Sequence, residues 1–338
     1  MKGKKLTILA IETSCDETSA AIVADGREVL SNVISTQISV HRVFGGVVPE
    51  IASRHHLENI NAVLDEAMAL ANVTPDEIDV IGVTKGPGLV GALLVGIATA
   101  KALSFAWGKP LVGVHHIQGH ICANYIAHRE LEPPFTSLII SGGHTSIADI
   151  TGYNECKIMG KTRDDAAGEA YDKVAKLLGL PYPGGPAVEE TAKSGNPHAV
   201  KFKRSYLEKD SFDFSFSGIK TGVMNFINSE KQASRETNAA DIAASFQLSI
   251  MEVVVSKAVR AARMMKRDKL AISGGVAANN LLREMLLAEC SKAGINLFCP
   301  PPILCTDNAA MIGCAAHYLY MAGGKDSLTL DAHANLEL

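Results

Sequence analysis

The sequence predicts an α/β protein built as two similar lobes. A strand–turn–strand unit opens the chain and recurs near its middle, and amphipathic helical stretches separate the strand-like runs. The length, 338 residues at 47% apolar composition, is enough for two hydrophobic cores.

The first unit reads LTILAIETSCDETSAAIVADG. Apolar Ile8–Ile11 meets a small polar cluster, and a second apolar run, Ala20–Ala24, ends at Asp25-Gly26, a turn signal. At 137–150 the pattern repeats as SLIISGGHTSIADI, with Ser141-Gly142-Gly143-His144-Thr145 as the turn. A third strand-then-glycine unit is KLAISGGVAANNLLREML, where Ser273-Gly274-Gly275 leads into a helix. Helical composition and spacing mark 59–72 (NINAVLDEAMALAN). A longer run from Asp241 to Arg267 places Ile242, Phe246, Ile250 and Val253 on one face. Its basic end (Arg260, Arg263, Lys266, Arg267) reads equally as a helix terminus complementing the dipole and as a binding patch.

Composition narrows the function. The net charge is −4, so a nucleic-acid role needs a local basic patch or a partner. Seven cysteines without a CxxC pair argue against a disulfide framework, no signal peptide is expected at the start, and the uncharged stretch between Lys85 and Lys101 is too short and glycine-rich to span a membrane. A cytoplasmic protein without membrane association is the expectation.

The glycine turns ETSCDETS, SGGHTS and SGGVAANN present backbone N–H groups and hydroxyls at strand ends. Each alone reads as an ordinary turn; three in a two-lobed chain read as a nucleotide cleft. In GEAYDKVAKLLGLPYPGGP, Asp172 is either a first-turn carboxylate or an acceptor for a ribose hydroxyl. Gly184 and Gly185 would let a flat base approach, and Glu189 is a second carboxylate. Glycines 86, 88, 91 and 96 in an apolar run allow close helix packing, either inside the lobe or against a partner.

The stretch GVHHIQGH concentrates three of the chain's 11 histidines. His116 and His120 are four apart and share one helix face, whereas His115 points elsewhere. A zinc-protease motif needs glutamate directly after the first histidine, and Ile117 stands there. The best third ligand is Asp307 in CTDNAAMIG, although a Thr-Asp-Asn before a helix also reads as a cap. Two histidines plus one carboxylate suit iron(II) or zinc.

These motifs resemble one family. AIETSCDETSAAIV, GPGLVGALLVG, HHIQGH, SGGHT, DDAAGEAYDKVAKLLGLPYPGGP, FSFSGIKT, SGGVAANN and CTDNAAMI occur in the order expected of the TsaD family of tRNA threonylcarbamoyladenosine transferases, nearly end to end. The resemblance implies the duplicated actin-like, sugar-kinase and heat-shock-70 fold with a ligand cleft between two lobes, 1–130 with 306–338 and 131–305. It implies transfer of threonylcarbamoyl from threonylcarbamoyl-adenylate to N6 of adenosine 37 in tRNAs reading codons that begin with A, with release of AMP. By that resemblance His116, His120 and Asp307 would hold one divalent metal, iron(II) or alternatively zinc. Ile139, Ile140, Ser141, Gly142, Gly143, Asp172, Gly185 and Asn279 would line the adenylate (or ATP/AMP) site. The expected partners are tRNA, a TsaB-like paralogue and a TsaE-like ATPase. Rival classes are an ATPase or kinase using Asp16 or Glu17 as its acid, a non-catalytic nucleotide-binding scaffold, and a metal-dependent glycopeptidase, which Ile117 disfavours.

Overall fold

Each half of the chain folds around a five-stranded mixed sheet, seen in a computed structural model that describes residues 5–338. The first unit comprises residues up to Glu132 together with Pro300–Leu338; the second is Pro133–Cys299. The sequence expectation placed the return to the first unit at residue 306. The chain returns earlier because the short helix at Pro302–Cys305 packs on the helix that carries the histidines.

In the first unit β1 (Thr7–Glu12), β2 (Glu17–Ala24) and β3 (Glu28–Thr36) form an antiparallel meander. Then come α1 (Ile38–His41), α2 (Pro49–Ala71), β4 (Val80–Gly86), α3 (Val90–Trp107), β5 (Leu111–His115) and α4 (His116–Ala127). The strand order is β3-β2-β1-β4-β5, with β4 parallel to β1 and β5 parallel to β4. β1 is a nearly continuous apolar run because it is central and covered on both faces. Alternation then sorts the side chains: Leu9, Ile11, Ala20, Ile22, Ile81 and Val83 join Ile60, Val63, Leu64, Leu93 and Ile97 from α2 and α3 in one core cluster.

The second unit contains β6 (Phe135–Ile140), β7 (Thr145–Gly152), β8 (Glu155–Lys161), α5 (Ala167–Leu177), α6 (Gly184–Ala192), α7 (Ser217–Gln232), α8 (Ala239–Met264), β9 (Lys269–Ser273), α9 (Asn280–Ala293) and β10 (Asn296–Phe298). Its order is β10-β9-β6-β7-β8, antiparallel through β6, β7 and β8 and parallel through β6, β9 and β10. This is the first unit's topology again: a three-stranded meander whose first strand is central, followed by two parallel strands. Both expected hairpins are present. α10 (Pro302–Cys305) and α11 (Ala309–Met321) close the first unit, where Gly82 abuts Ala316 and Gly313 abuts Val23 and Ala10, on the sheet face opposite α2 and α3.

Several local expectations change. The helix expected over 59–72 begins at Pro49, since proline suits a first helical position. Asp172 lies in the middle of α5, and the acid in its first turn is Glu169. The glycines of 86–100 serve contacts inside the unit. A Cβ at Gly91 would lie 2.4 Å from Ser53 Oγ, and one at Gly96 would lie 2.4 Å from Thr13 Oγ1. The exposed large apolar side chains of α3 are Val90, Leu94 and Phe105, the last 77% accessible.

On α8, Ile242, Phe246, Ile250 and Val253 are all buried. At its basic end, Arg260 donates to the carbonyls of Lys209 and Ser211, and Arg267 pairs with Asp149, so these two are structural. By length and composition alone, two helices among the described residues could cross a membrane, α3 and α8. Burial of most of α8 marks it as a core helix.

Candidate metal centre

The carboxyl ends of β1, β4 and β5 meet in the first unit, because these strands run parallel. In open α/β sheets that edge is where ligands bind. His115 ends β5 and His116 begins α4, so the strand-to-helix junction places the histidine cluster there.

The three histidines have different tasks. His115 caps α4: its Nδ1 accepts the Ile117 N–H at 3.1 Å, and its Nε2 donates to the Leu336 carbonyl at 3.2 Å. Burial, opposed by that carbonyl contact, pushes its pKa down to about 4, as expected of a neutral ring held by one donor and one acceptor. His116 and His120 stand one turn apart on α4, their ring centroids 4.7 Å apart and nearly perpendicular. Asp307 Oδ1 lies 3.1 Å from His120 Nε2 and 3.5 Å from His116 Nε2. One donor atom from each of the three residues lies within 4.8 Å of the others.

Asp307 is not the cap of α11. Asn308 takes that role, its side chain accepting the Met311 N–H at 3.0 Å. Capping therefore accounts for the Asn of Thr-Asp-Asn and leaves the position of Asp307 to be explained by the histidines. α4 and α11 are held close at Gly119, where a Cβ would come within 2.7 Å of Ile312 Cδ1.

The residues fit a divalent metal. Both nitrogens of His120 are buried and neither makes a hydrogen bond. Its Nε2 is near Asp307 but not aligned for a hydrogen bond, although a buried polar atom normally finds one. Two imidazoles and a carboxylate converging on one point are the donor set of an open divalent site. Burial would lower the pKa of His116, but the Asp307 and Glu12 carboxylates, one hydrogen-bonded to it, raise it to about 9. An ion binding there must displace that proton. Nearby, burial and the charges of Asp16 and Asp307 push the half-buried Glu17 carboxyl up to about 10.

Sequence reasoning overlooked Glu12. It ends β1, is fully buried, and bonds His116 Nδ1 at 3.1 Å, Thr84 Oγ1 at 2.6 Å and Ser14 N at 2.5 Å. A charged residue closing an otherwise apolar strand run, in AIETS, was the available signal.

In the second unit the expected adenylate residues Ile139–Gly143 lie at the carboxyl end of β6, Asn279 follows parallel β9, and Asp172 and Gly185 lie in α5 and α6. Ile139 and Ile140 are buried in β6, Ser141 is buried at its end, and Gly142 and Gly143 are exposed in the turn. Ile139 pairs with Ser273, so the two glycine turns are neighbours; Gly274 has φ 91° and its Cβ position lies 2.5 Å from the Ile140 carbonyl. Asp172 Oδ1 accepts the Gly184 N–H at 2.7 Å, which anchors the start of α6. Gly185, beside it, has open space where a Cβ would stand. Asn279 caps α9 through Leu282 N and donates to Gln247 Oε1. Gln247 lines a cavity of 510 Å³ with Glu189, Lys193 and Asn280, among others. Glu189 accepts from both nitrogens of Asn280, at 2.8 Å each.

A repeated α/β sheet of this topology defines the class, a duplicated actin-like ATPase fold, in which His116, His120 and Asp307 converge in the first unit. Solved structures agree on the fold. T. kodakarensis HypF superposes with a TM-score of 0.65 at 15% identity, covering 95% of this chain and 49% of that one. The Acidaminococcus fermentans (R)-2-hydroxyglutaryl-CoA dehydratase component A gives 0.54 at 15% identity, covering 94% and 98%. The family model for TsaD, tRNA N6-adenosine threonylcarbamoyltransferase, matches residues 28–314. Proteins of that name from Clostridium botulinum (strain 657 / Type Ba4) and Clostridium perfringens (strain ATCC 13124) are 57% and 55% identical over 335 and 334 residues, each covering 99% of this chain and 98% of the relative. The chain belongs to the tRNA N6-adenosine threonylcarbamoyltransferase family.

Proposed function

We propose that this protein transfers threonylcarbamoyl from threonylcarbamoyl-adenylate to N6 of adenosine 37 in tRNAs reading codons that begin with A, releasing AMP. The convergence of His116, His120 and Asp307, in a chain 57% identical to a transferase of this name, carries the reading.

His116, His120 and Asp307 hold one divalent ion, iron(II) by the donor set, with zinc as the alternative. When bound, that ion supplies a Lewis acid for a carbonyl oxygen. The mixed anhydride is already activated, so the remaining task is to position reactants and stabilise developing negative charge. Ile139–Gly143, Asp172, Gly185 and Asn279 form the adenylate site in the second unit. The turn at Ser141–Gly143 offers backbone groups to oxygen atoms, and the open side of Gly185 admits a flat group. Asn279 supports such a site chiefly by fixing the start of α9, since its amide already serves Leu282 and Gln247; each end of the amide still has capacity for a second bond.

A TsaB-like paralogue docks on the exposed apolar side of α3, formed by Val90, Leu94 and Phe105, and a TsaE-like ATPase completes the assembly. The setting is the cytoplasm. Mass spectrometry of tRNA from cells depleted of the native transferase and supplied with this chain tests the proposal. Restoration of the threonylcarbamoyl mark is expected; unmodified tRNA despite normal expression would count against it.

A further inference from the structure

The end of β1 and the turn that follows it meet the metal centre at Glu12 and Ser14, and Glu12 is the acidic one. No part of its side chain reaches solvent, yet it is acidic, and its two oxygens are shared among three neighbours. Oε1 accepts the Ser14 N–H, while Oε2 accepts the Thr84 hydroxyl at 2.6 Å and lies 3.1 Å from His116 Nδ1. The turn is itself clamped by α3: Thr13 Oγ1 donates to the Ala92 carbonyl at 2.9 Å, and Leu89 N donates to the Ser14 carbonyl at 2.8 Å. Two donors, Ser14 N–H and the Thr84 hydroxyl, therefore hold the carboxylate beside the imidazole, on a turn that is itself fixed.

We propose that Glu12 is the positioning residue of the metal centre: it keeps the proton of His116 on Nδ1, so that His116 turns its Nε2 lone pair toward His120 and Asp307. The inference rests on the metal-site reading above. Ligating histidines characteristically donate their second nitrogen to a carboxylate, which fixes both tautomer and ring orientation. Ser14 Oγ also lies 3.1 Å from Nδ1, but a hydroxyl can donate or accept and so cannot select a tautomer by itself. Glu12, as a carboxylate, only accepts.

Glu12→Gln tests this with little change of shape. The carboxylate serves three donors, and an amide has one oxygen. In one orientation the new NH2 faces the Ser14 N–H. In the other it faces His116 and favours the tautomer with the proton on Nε2, removing the donor lone pair. Zinc affinity, measured on purified protein by competition with a chromogenic chelator, should fall about 10–100-fold. Ser14→Ala should change it by much less. The zinc-loaded wild-type protein should show an NMR proton resonance for His116 Nδ1–H, shifted or lost in Glu12→Gln. That resonance needs no substitution, so the proposal stays testable if Glu12→Gln does not fold.

Wild-type zinc affinity in folded Glu12→Gln, a larger loss in Ser14→Ala than in Glu12→Gln, or no Nδ1–H resonance in the wild type would overturn the assignment. His120→Ala is the control. If it retains stoichiometric zinc, the metal-site reading itself fails. If it loses zinc while Glu12→Gln binds normally, only the role given to Glu12 fails.

Discussion

Gly168→Ala would place a methyl group where the backbone leaves no room. The new Cβ would lie 2.7 Å from Gly142 Cα, 2.7 Å from the Ser141 carbonyl oxygen and 3.0 Å from Gly142 N. These are main-chain atoms, which cannot swing aside as a side-chain end can. The same contact carries two hydrogen bonds, Gly168 N to Ser141 O at 3.2 Å and Glu169 N to Gly142 O at 3.1 Å, so the turn after β6 rests on the first turn of α5. Two effects oppose each other. Alanine in a helix is favoured over glycine by about 0.5–1 kcal/mol, whereas overpacking typically costs about 1–3 kcal/mol. The net expectation is destabilisation of about 1–2 kcal/mol, with the Ser141–Gly143 turn pushed away from α5. Because that turn is proposed to hold the adenylate, AMP affinity should drop by about tenfold or more, equivalent to about 1.4 kcal/mol. Urea denaturation and calorimetric titration with AMP measure the two quantities. Gly185→Ala is the companion: nothing lies within 4 Å of its Cβ position, so stability should hold while affinity falls. Wild-type stability and affinity in Gly168→Ala would refute the close-approach argument, and wild-type affinity in Gly185→Ala would remove Gly185 from the site.

Loss of the α4 cap in His115→Ala should cost about 1 kcal/mol in thermal or urea denaturation while leaving bound metal unchanged by elemental analysis. On α3, Leu94→Asp and Phe105→Glu should weaken pull-down of the TsaB-like paralogue without changing the protein's own melting. Gly91→Leu should instead lower the melting temperature, because its side chain must displace Ser53. Acid stability has a defined sign. Asp164 accepts from Ser215, Phe216 and Ser217, and Asp165 pairs with Lys173 and Lys220. Burial opposes, but these bonds and charges hold both carboxyls below their usual pKa. Their contribution is complete above the unfolded value near pH 4 and is lost as pH falls through the lower folded values. Urea midpoints between pH 2 and 6 should therefore drop on the acid side, less steeply in Asp164→Asn; an identical profile in that variant would contradict the assignment.

Local pattern made the hairpins, α8 and the His116–His120 pair legible, because alternation and four-residue spacing directly encode which side chains share a face. Glu12, His115 and Asn308 were hidden for the opposite reason. Each acquires its role from a partner met only after folding: Glu12 from a histidine 104 positions away, His115 from the Leu336 carbonyl, Asn308 from the exact start of α11. A glycine-rich run shows that backbones approach closely somewhere. It does not show whose, and here Gly91 and Gly96 meet Ser53 and Thr13 of the same unit. Asp172 was displaced from first turn to mid-helix because α5 begins at Ala167, before the acidic residue that its composition offers as a start.

Metal content measured beside tRNA modification is the most direct test of the central claim. Wild type, His116→Ala, His120→Ala and Asp307→Ala should be purified with their partner proteins, assayed for bound metal by elemental analysis, and given threonylcarbamoyl-adenylate and unmodified tRNA. The account predicts one metal ion per chain and modified tRNA for the wild type. It predicts that each variant loses both, with little change in the melting temperature of the metal-free protein, since an open site serves the substrate rather than the fold. Stoichiometric metal in Asp307→Ala, or wild-type modification rates in all three variants, would contradict it.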